Sequence, residues 1–214
     1  MRSTLGSGSS ATAGSESLSS SSGGTTATTG VAHSVVRDGT ESYIVAARKL
    51  FTGEIVFDRV GGILSAVSKR HSIQVGENQH LDMDNDMSLT NHSCSPNCQT
   101  TIFSGEGSPG QEPRVSLVVR AVEIPEGEML TIDYNAMEVD MSSPFDCRCG
   151  AANCRGRISG FSKLAPEVQA EYIAGCRAGG VGARSADTAS AAADLPTLPL
   201  LTPVVEAWVE SNKL

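Results

Sequence analysis

Three cysteines within eight residues, Cys147, Cys149 and Cys154, form a C-x-C-x4-C run bracketed by Gly150, Asn153 and Gly156. Tetrahedral Zn²⁺ takes four soft or borderline ligands, and three thiolates at this spacing are a strong start on such a site. The fourth ligand must come from elsewhere, and Cys94, Cys98 and Cys176 are the candidates. A closed four-thiolate site is structural, because it keeps no open position for water or substrate. Structural zinc contributes about 10–16 kcal/mol in small metal-folded segments, far more than twenty residues gain by burial. A disulfide framework is a poor alternative, since the first residues lack the apolar core of a secretory signal. Asp82-x-Asp84-x-Asp86 imitates the start of a calcium loop, but it has neither Gly at the sixth position nor Glu at the twelfth and reads as an acidic loop. His33, His71 and His80 have no metal-ligand spacing.

These residues need a scaffold, and the chain patterns as a mainly β one. Residues 1–32 are almost all Ser, Thr, Gly and Ala, a disordered tail with too little apolar surface to offset the entropy of ordering. Tyr43-Ile44-Val45, a Thr52-Gly53 turn and Glu54 to Phe57 read as strand, turn, strand. Gly61-Gly62 breaks the chain. Ser72 to Val75 and His80 to Asp82 are short strands around Gly76-Glu77-Asn78, and Thr100 to Phe103 pairs with Val115 to Val119 across a loop over 104–113. Met129 to Tyr134 reads as a further strand, ending in an aspartate and a tyrosine. Pro166 to Cys176 has helical spacing, with Val168, Tyr172 and Ile173 on one face. A linker follows over 178–196, and Pro203 opens a last short helix, either folded back on the domain or free to dock elsewhere.

Composition narrows the partners. With 214 residues and 39% hydrophobic content the chain suits one modest domain plus tails. A net charge of −8 opposes nucleic-acid binding and suits a basic peptide. No apolar run approaches the roughly 20 residues that span a bilayer. The expected compartment is nuclear or cytoplasmic; the tail has Arg2 as its only base, which argues against an organelle transit peptide.

Two further stretches carry a family resemblance. Asn91-His92-Ser93-Cys94-Ser95-Pro96-Asn97 resembles the N-H-S-C-x-P-N box of SET-domain protein-lysine methyltransferases, and Glu126 to Tyr134 resembles their G-E-x-L-T-x-D-Y strand. Cys147 to Ile158, CRCGAANCRGRI, is similar to the post-SET segment that follows. The phrases Ser72 to Gly76 and Asp140 to Phe145 are most similar to the minimal SET proteins. The resemblance implies a β-clip-like fold of short strands, in which the segment with Tyr134 threads beneath the box loop as a pseudoknot. It divides the chain into a SET domain at 33–140, a post-SET zinc segment at 141–162, a helix at 163–177, and a linker with a short C-terminal helix at 178–214. It also selects Cys94 to join Cys147, Cys149 and Cys154 at one Zn²⁺, leaving Cys98 and Cys176 as plain thiols.

The implied activity is transfer of methyl groups from S-adenosylmethionine to lysine side chains of proteins, by a monomer. Tyr134 takes the place of the catalytic tyrosine, orienting the reacting groups. Asn91, His92 and Arg148 match cofactor-contacting positions, and Tyr43 lies in the segment that meets the cofactor's methionine end. There the family usually shows G-x-G, whereas this chain has Glu41-Ser42-Tyr43. His71 stands where many relatives place a channel tyrosine, and the insert at 61–72 is short. These departures leave a second reading, a binding module that keeps the fold without turnover.

Overall fold

The computed structural model describes residues 31–104, 112–178 and 201–214. Most of the expected N-terminal tail (1–32), of the expected hairpin loop (104–113) and of the expected linker (178–196) lies outside them.

The chain builds small sheets from short strands. β1 (His33–Asp38) and β2 (Glu41–Ala46) form an antiparallel hairpin in which Val35 faces Ile44. Its turn runs through Gly39, whose φ of +60° favours glycine. β3 (Leu50–Phe51) and β4 (Ile55–Val60) follow, then β5 (Leu64–Ser65), β6 (Ser72–Gly76) and β7 (Gln79–Asp82). The last three make one antiparallel sheet with β7 central. β8 (Asn91–His92) leads to β9 (Cys98–Phe103), β10 (Arg114–Val119) and β11 (Glu123–Ile124). β10 sits between β4 and β9, so the expected hairpin is present and gains a third strand. β12 (Thr131–Ile132) pairs in parallel with β8, and β13 (Phe145–Asp146) pairs with β14 (Arg157–Ile158) around the cysteine run. Among the described residues, α1 (Pro166–Ala178) and α2 (Pro203–Ser211) follow.

Two apolar clusters hold these pieces. The larger joins Ile44, Leu50, Leu81, Leu117, Ile124 and Leu130. The smaller joins Ala136, Phe161, Tyr172, Leu201, Val205 and Val209, so both helices fold back on the domain. Burial of Val204, Val205 and Val209 settles the placement of α2. Each such side chain contributes roughly 1.5–3 kcal/mol when fully buried.

One sequence expectation needs correction. The strand expected over 129–134 is regular only at Thr131–Ile132. Asp133 is extended and its side chain accepts from Asn135 N, so Tyr134 opens a 3₁₀ turn over Tyr134–Ala136. The acidic loop also has a plain role. Asp82 pairs with Lys69 and Asp84 with Arg59, each at 2.6 Å, while Asp86 meets His33 at 3.3 Å.

Candidate active site

The cysteine run folds around two glycines. Alternate residues point to the same side of an extended chain, so C-x-C presents Cys147 and Cys149 together. Gly150 (φ +73°) and Gly156 (φ +75°) then turn the chain, and Cys154 N donates to Ala151 O at 3.0 Å. Asn153 Nδ2 donates to Cys94 O at 2.9 Å, which ties the run to the distant box loop.

The sulfurs of Cys94, Cys147, Cys149 and Cys154 lie within 4.8 Å of one another. A tetrahedral zinc with bonds of about 2.3 Å sets its sulfurs about 3.8 Å apart, and Cys94 and Cys147 stand at 3.9 Å. Burial, with Cys147 and Cys149 alongside, holds the Cys94 thiol well above its ordinary range. Four thiolates this close need a cation between them. Backbone N–H groups already face the sulfurs, from Arg155 to Cys94 at 3.3 Å and from Cys149 to Cys147 at 3.4 Å. The donor set therefore fits zinc. Cys98 and Cys176 stand apart from this cluster; burial pushes the Cys98 thiol up to about 12.

Beside the cluster opens a cavity of about 880 Å³, lined by Asn91, His92, Tyr134 and Arg148 among others. Sequence reasoning singled out all four, from positions far apart in the chain. Tyr43 is not among the lining residues, whereas its neighbours Glu41 and Ser42 are. Further along β2, Val45 bridges to Met129 and Ala46 O accepts from Gly127 N, so the end of this strand borders residues 127–130. His71 also lines the cavity.

Phe145 completes the wall and went unmarked as a site residue. Its ring meets Tyr134 edge-on at 6.0 Å and His92 at 5.9 Å, while His92 and Tyr134 lie 5.3 Å apart. Such contacts fix ring positions. The signal for it was its place two residues before Cys147, which brings whatever stands there to the cavity when the sulfurs converge.

The polar chemistry is specific. Tyr134 Oη donates to Thr90 O at 2.6 Å, so its only proton is committed and its lone pairs remain. Burial pushes this hydroxyl up to about 12, which keeps it neutral at physiological pH. His92 Nδ1 accepts from Tyr134 N at 3.2 Å, which leaves Nε2 to carry the proton and donate to Cys94 Sγ at 3.3 Å. Burial lowers the His92 pKa to about 4, so the ring is the neutral imidazole this arrangement requires. One histidine thus joins the cysteine cluster to the tyrosine.

The 41–135 stretch matches the family model for the SET domain. Methyltransferase flvH of Aspergillus flavus is 28% identical over 137 residues, covering 63% of this chain and 72% of that protein. Histone-lysine N-methyltransferase ash1 of Drosophila melanogaster is 40% identical over 92 residues, 42% of this chain. Human Histone-lysine N-methyltransferase 2D is 29% identical over 128 residues, 52% of this chain. The matches span only 4% and 2% of those two large proteins. The mainly β architecture agrees with the matched model, which identifies residues 41–135 of this chain as a SET domain.

Proposed function

We propose that the protein methylates lysine side chains of other proteins, with S-adenosylmethionine as donor and a structural zinc held by Cys94, Cys147, Cys149 and Cys154. The observation that carries this reading is the convergence of Tyr134, His92, Asn91 and Arg148 on one cavity walled by the cysteine cluster. A bound S-adenosylmethionine supplies an activated methyl group on a positive sulfur. The protein's task is then alignment and delivery of a neutral amine.

The cavity suits that task. A free lysine has a pKa of about 10.4, so neutralising it at pH 7 costs roughly 4–5 kcal/mol. The rings of Tyr134, His92 and Phe145 desolvate an entering ammonium and so favour its neutral form. Tyr134 Oη, its proton held by Thr90 O, offers only lone pairs. It accepts from the amine N–H, or from the polarised C–H groups of a transferring methyl, and so orients both. It is a poor base, because burial keeps it protonated.

Asn91 has room to bind the donor. Among the described residues its Nδ2 meets only the soft Met129 Sδ, at 3.5 Å, so a better acceptor displaces this contact easily. Arg148, at the cavity edge between Cys147 and Cys149, offers a cation to the carboxylate or ribose of the donor.

Glu41 and Ser42 at the cavity rim favour the second reading, a module without turnover, because side chains stand there in place of the family's glycines. Calorimetry with S-adenosylmethionine, followed by a labelled-methyl assay on a broad lysine-bearing protein panel, separates the two. Binding with transfer supports the enzyme. Absence of both leaves the module.

A further inference from the structure

The helices after the cysteine cluster are bound to the turn that carries Tyr134, and the sequence motifs do not account for this. Tyr172, on α1, is buried and its hydroxyl donates to Asp133 Oδ2 in a short hydrogen bond. The other carboxylate oxygen, Asp133 Oδ1, accepts from Asn135 N at 3.0 Å and so caps the 3₁₀ turn beginning at Tyr134. The next residues are gripped from the same side. Thr202, just before α2, donates from N to Ala136 O at 3.0 Å and from Oγ1 to Met137 O at 3.3 Å.

Asp133 is 2% exposed, and burial pushes its carboxyl up to about 6 while the Tyr172 hydroxyl pulls it back down. A buried carboxylate that loses a donor must find another or protonate, and either change disturbs its second bond to Asn135. Tyr172 is itself held in place. Arg155 lies over its ring at 5.7 Å while bonding Glu171 at 2.7 Å, and Phe161 meets the ring edge-on at 6.1 Å. Arg155 N in turn faces Cys94 Sγ.

We infer that Tyr172 is a positioning residue for Tyr134, acting through Asp133 and the turn that Asp133 caps. The inference rests on the methyltransferase reading above for its consequence in turnover, though not for its geometry. The C-terminal helices are on this account part of the site's framework. A closing role of this kind matters because a small misplacement of a reacting group lowers an enzyme's rate far more than it lowers stability.

The test uses the zinc-loaded 214-residue chain with Tyr172→Phe, which keeps the ring's packing and deletes only the hydroxyl. Val168→Ala, on the same helix and packed in the same apolar cluster, is the control for loosened packing. Turnover of Tyr172→Phe falls about tenfold, with KM for donor and peptide within about twofold of wild type, as for loss of an interaction that serves the reacting geometry. Hydrogen exchange at the 135–137 amides speeds up about tenfold, while β9 and β10 exchange as before. Val168→Ala, compared at equal loss of Tm, shows neither change. The inference is overturned if Tyr172→Phe keeps wild-type turnover and wild-type exchange at 135–137, or if Val168→Ala reproduces both effects. Should the wild type itself transfer no methyl group, the functional reading fails separately, and exchange at 135–137 alone decides the positioning role.

Discussion

Asn97 and Thr131 hold the box loop against the strand that leads to Tyr134: Thr131 N donates to Asn97 Oδ1 at 2.9 Å. The same amide donates from Nδ2 to Met129 O at 2.9 Å, so one side chain mimics a strand partner in both directions. At the other end of the box, His92 pairs with Ile132 in the parallel β8–β12 ladder. The loop is therefore fastened to the 129–134 segment at both ends, which is how the four residues between them, Ser93 to Pro96, come to be fixed without a strand of their own.

Removing that fastening is costly. Asn97→Ala leaves Thr131 N and Met129 O without their partner in a part-buried place, at about 1–3 kcal/mol. Urea denaturation of zinc-loaded protein should show a lower midpoint with an unchanged slope. A midpoint equal to wild type contradicts the assignment.

Tyr134→Phe keeps the ring contacts with His92 and Phe145 and removes the acceptor lone pairs. Methyl transfer should fall about 10- to 100-fold, or shift in the number of methyl groups added, with donor affinity unchanged. Single-turnover kinetics and calorimetry on the same preparations check both halves.

The cysteines divide by function. Cys147→Ser should lose bound zinc and, with it, the wall that brings Phe145 and Arg148 to the cavity, so donor affinity falls at least about tenfold. Cys98→Ala should keep full zinc stoichiometry, because its thiol lies outside the sulfur cluster. Metal analysis of reduced protein distinguishes the two variants directly.

Glu138 predicts how stability varies with pH. Burial pushes its carboxyl up to about 8 against the pull of Gln74 N–H, and its Oε2 has no hydrogen-bond partner among the described residues. The folded state therefore keeps a proton that the unfolded state releases above its ordinary carboxylate pKa of about 4.3. This contribution to stability is fully present below that value and is lost as pH rises through the folded pKa near 8. Glu138→Gln imitates the protonated form. Between pH 5 and 8 wild type should lose stability relative to this variant, by an amount on the order of 2–5 kcal/mol. Parallel pH curves for the two proteins contradict it.

The strands and the cysteine trio were legible in the sequence because local patterns specify them. Short runs rich in Val, Ile, Thr and Phe between turn residues mark β6, β9 and β10, and C-x-C-x4-C marks three of the four clustered sulfurs by spacing alone. Cys94 was not legible that way, since fifty-three residues separate it from Cys147 and only the N-H-S-C box points to it. β1 escaped notice because its valines lie between polar residues whose pairing with β2 is a tertiary fact. Tyr134 was legible as a motif position, but its 3₁₀ turn was not, because the cap depends on how Asp133 is held. The Tyr172–Asp133 bond joins residues thirty-nine apart in an order no local pattern records. The expectation for Tyr43 met the limits of register: its neighbours Glu41 and Ser42 are the ones at the cavity.

The most direct measurement is mass spectrometry of a lysine-peptide array incubated with the zinc-loaded protein and S-adenosylmethionine, with each target lysine also replaced by arginine. The account predicts added methyl groups on particular lysines, absent from the arginine versions and strongly reduced with Tyr134→Phe. Peptides that stay unmodified throughout, in the hands of a preparation that carries zinc and binds the donor, contradict it.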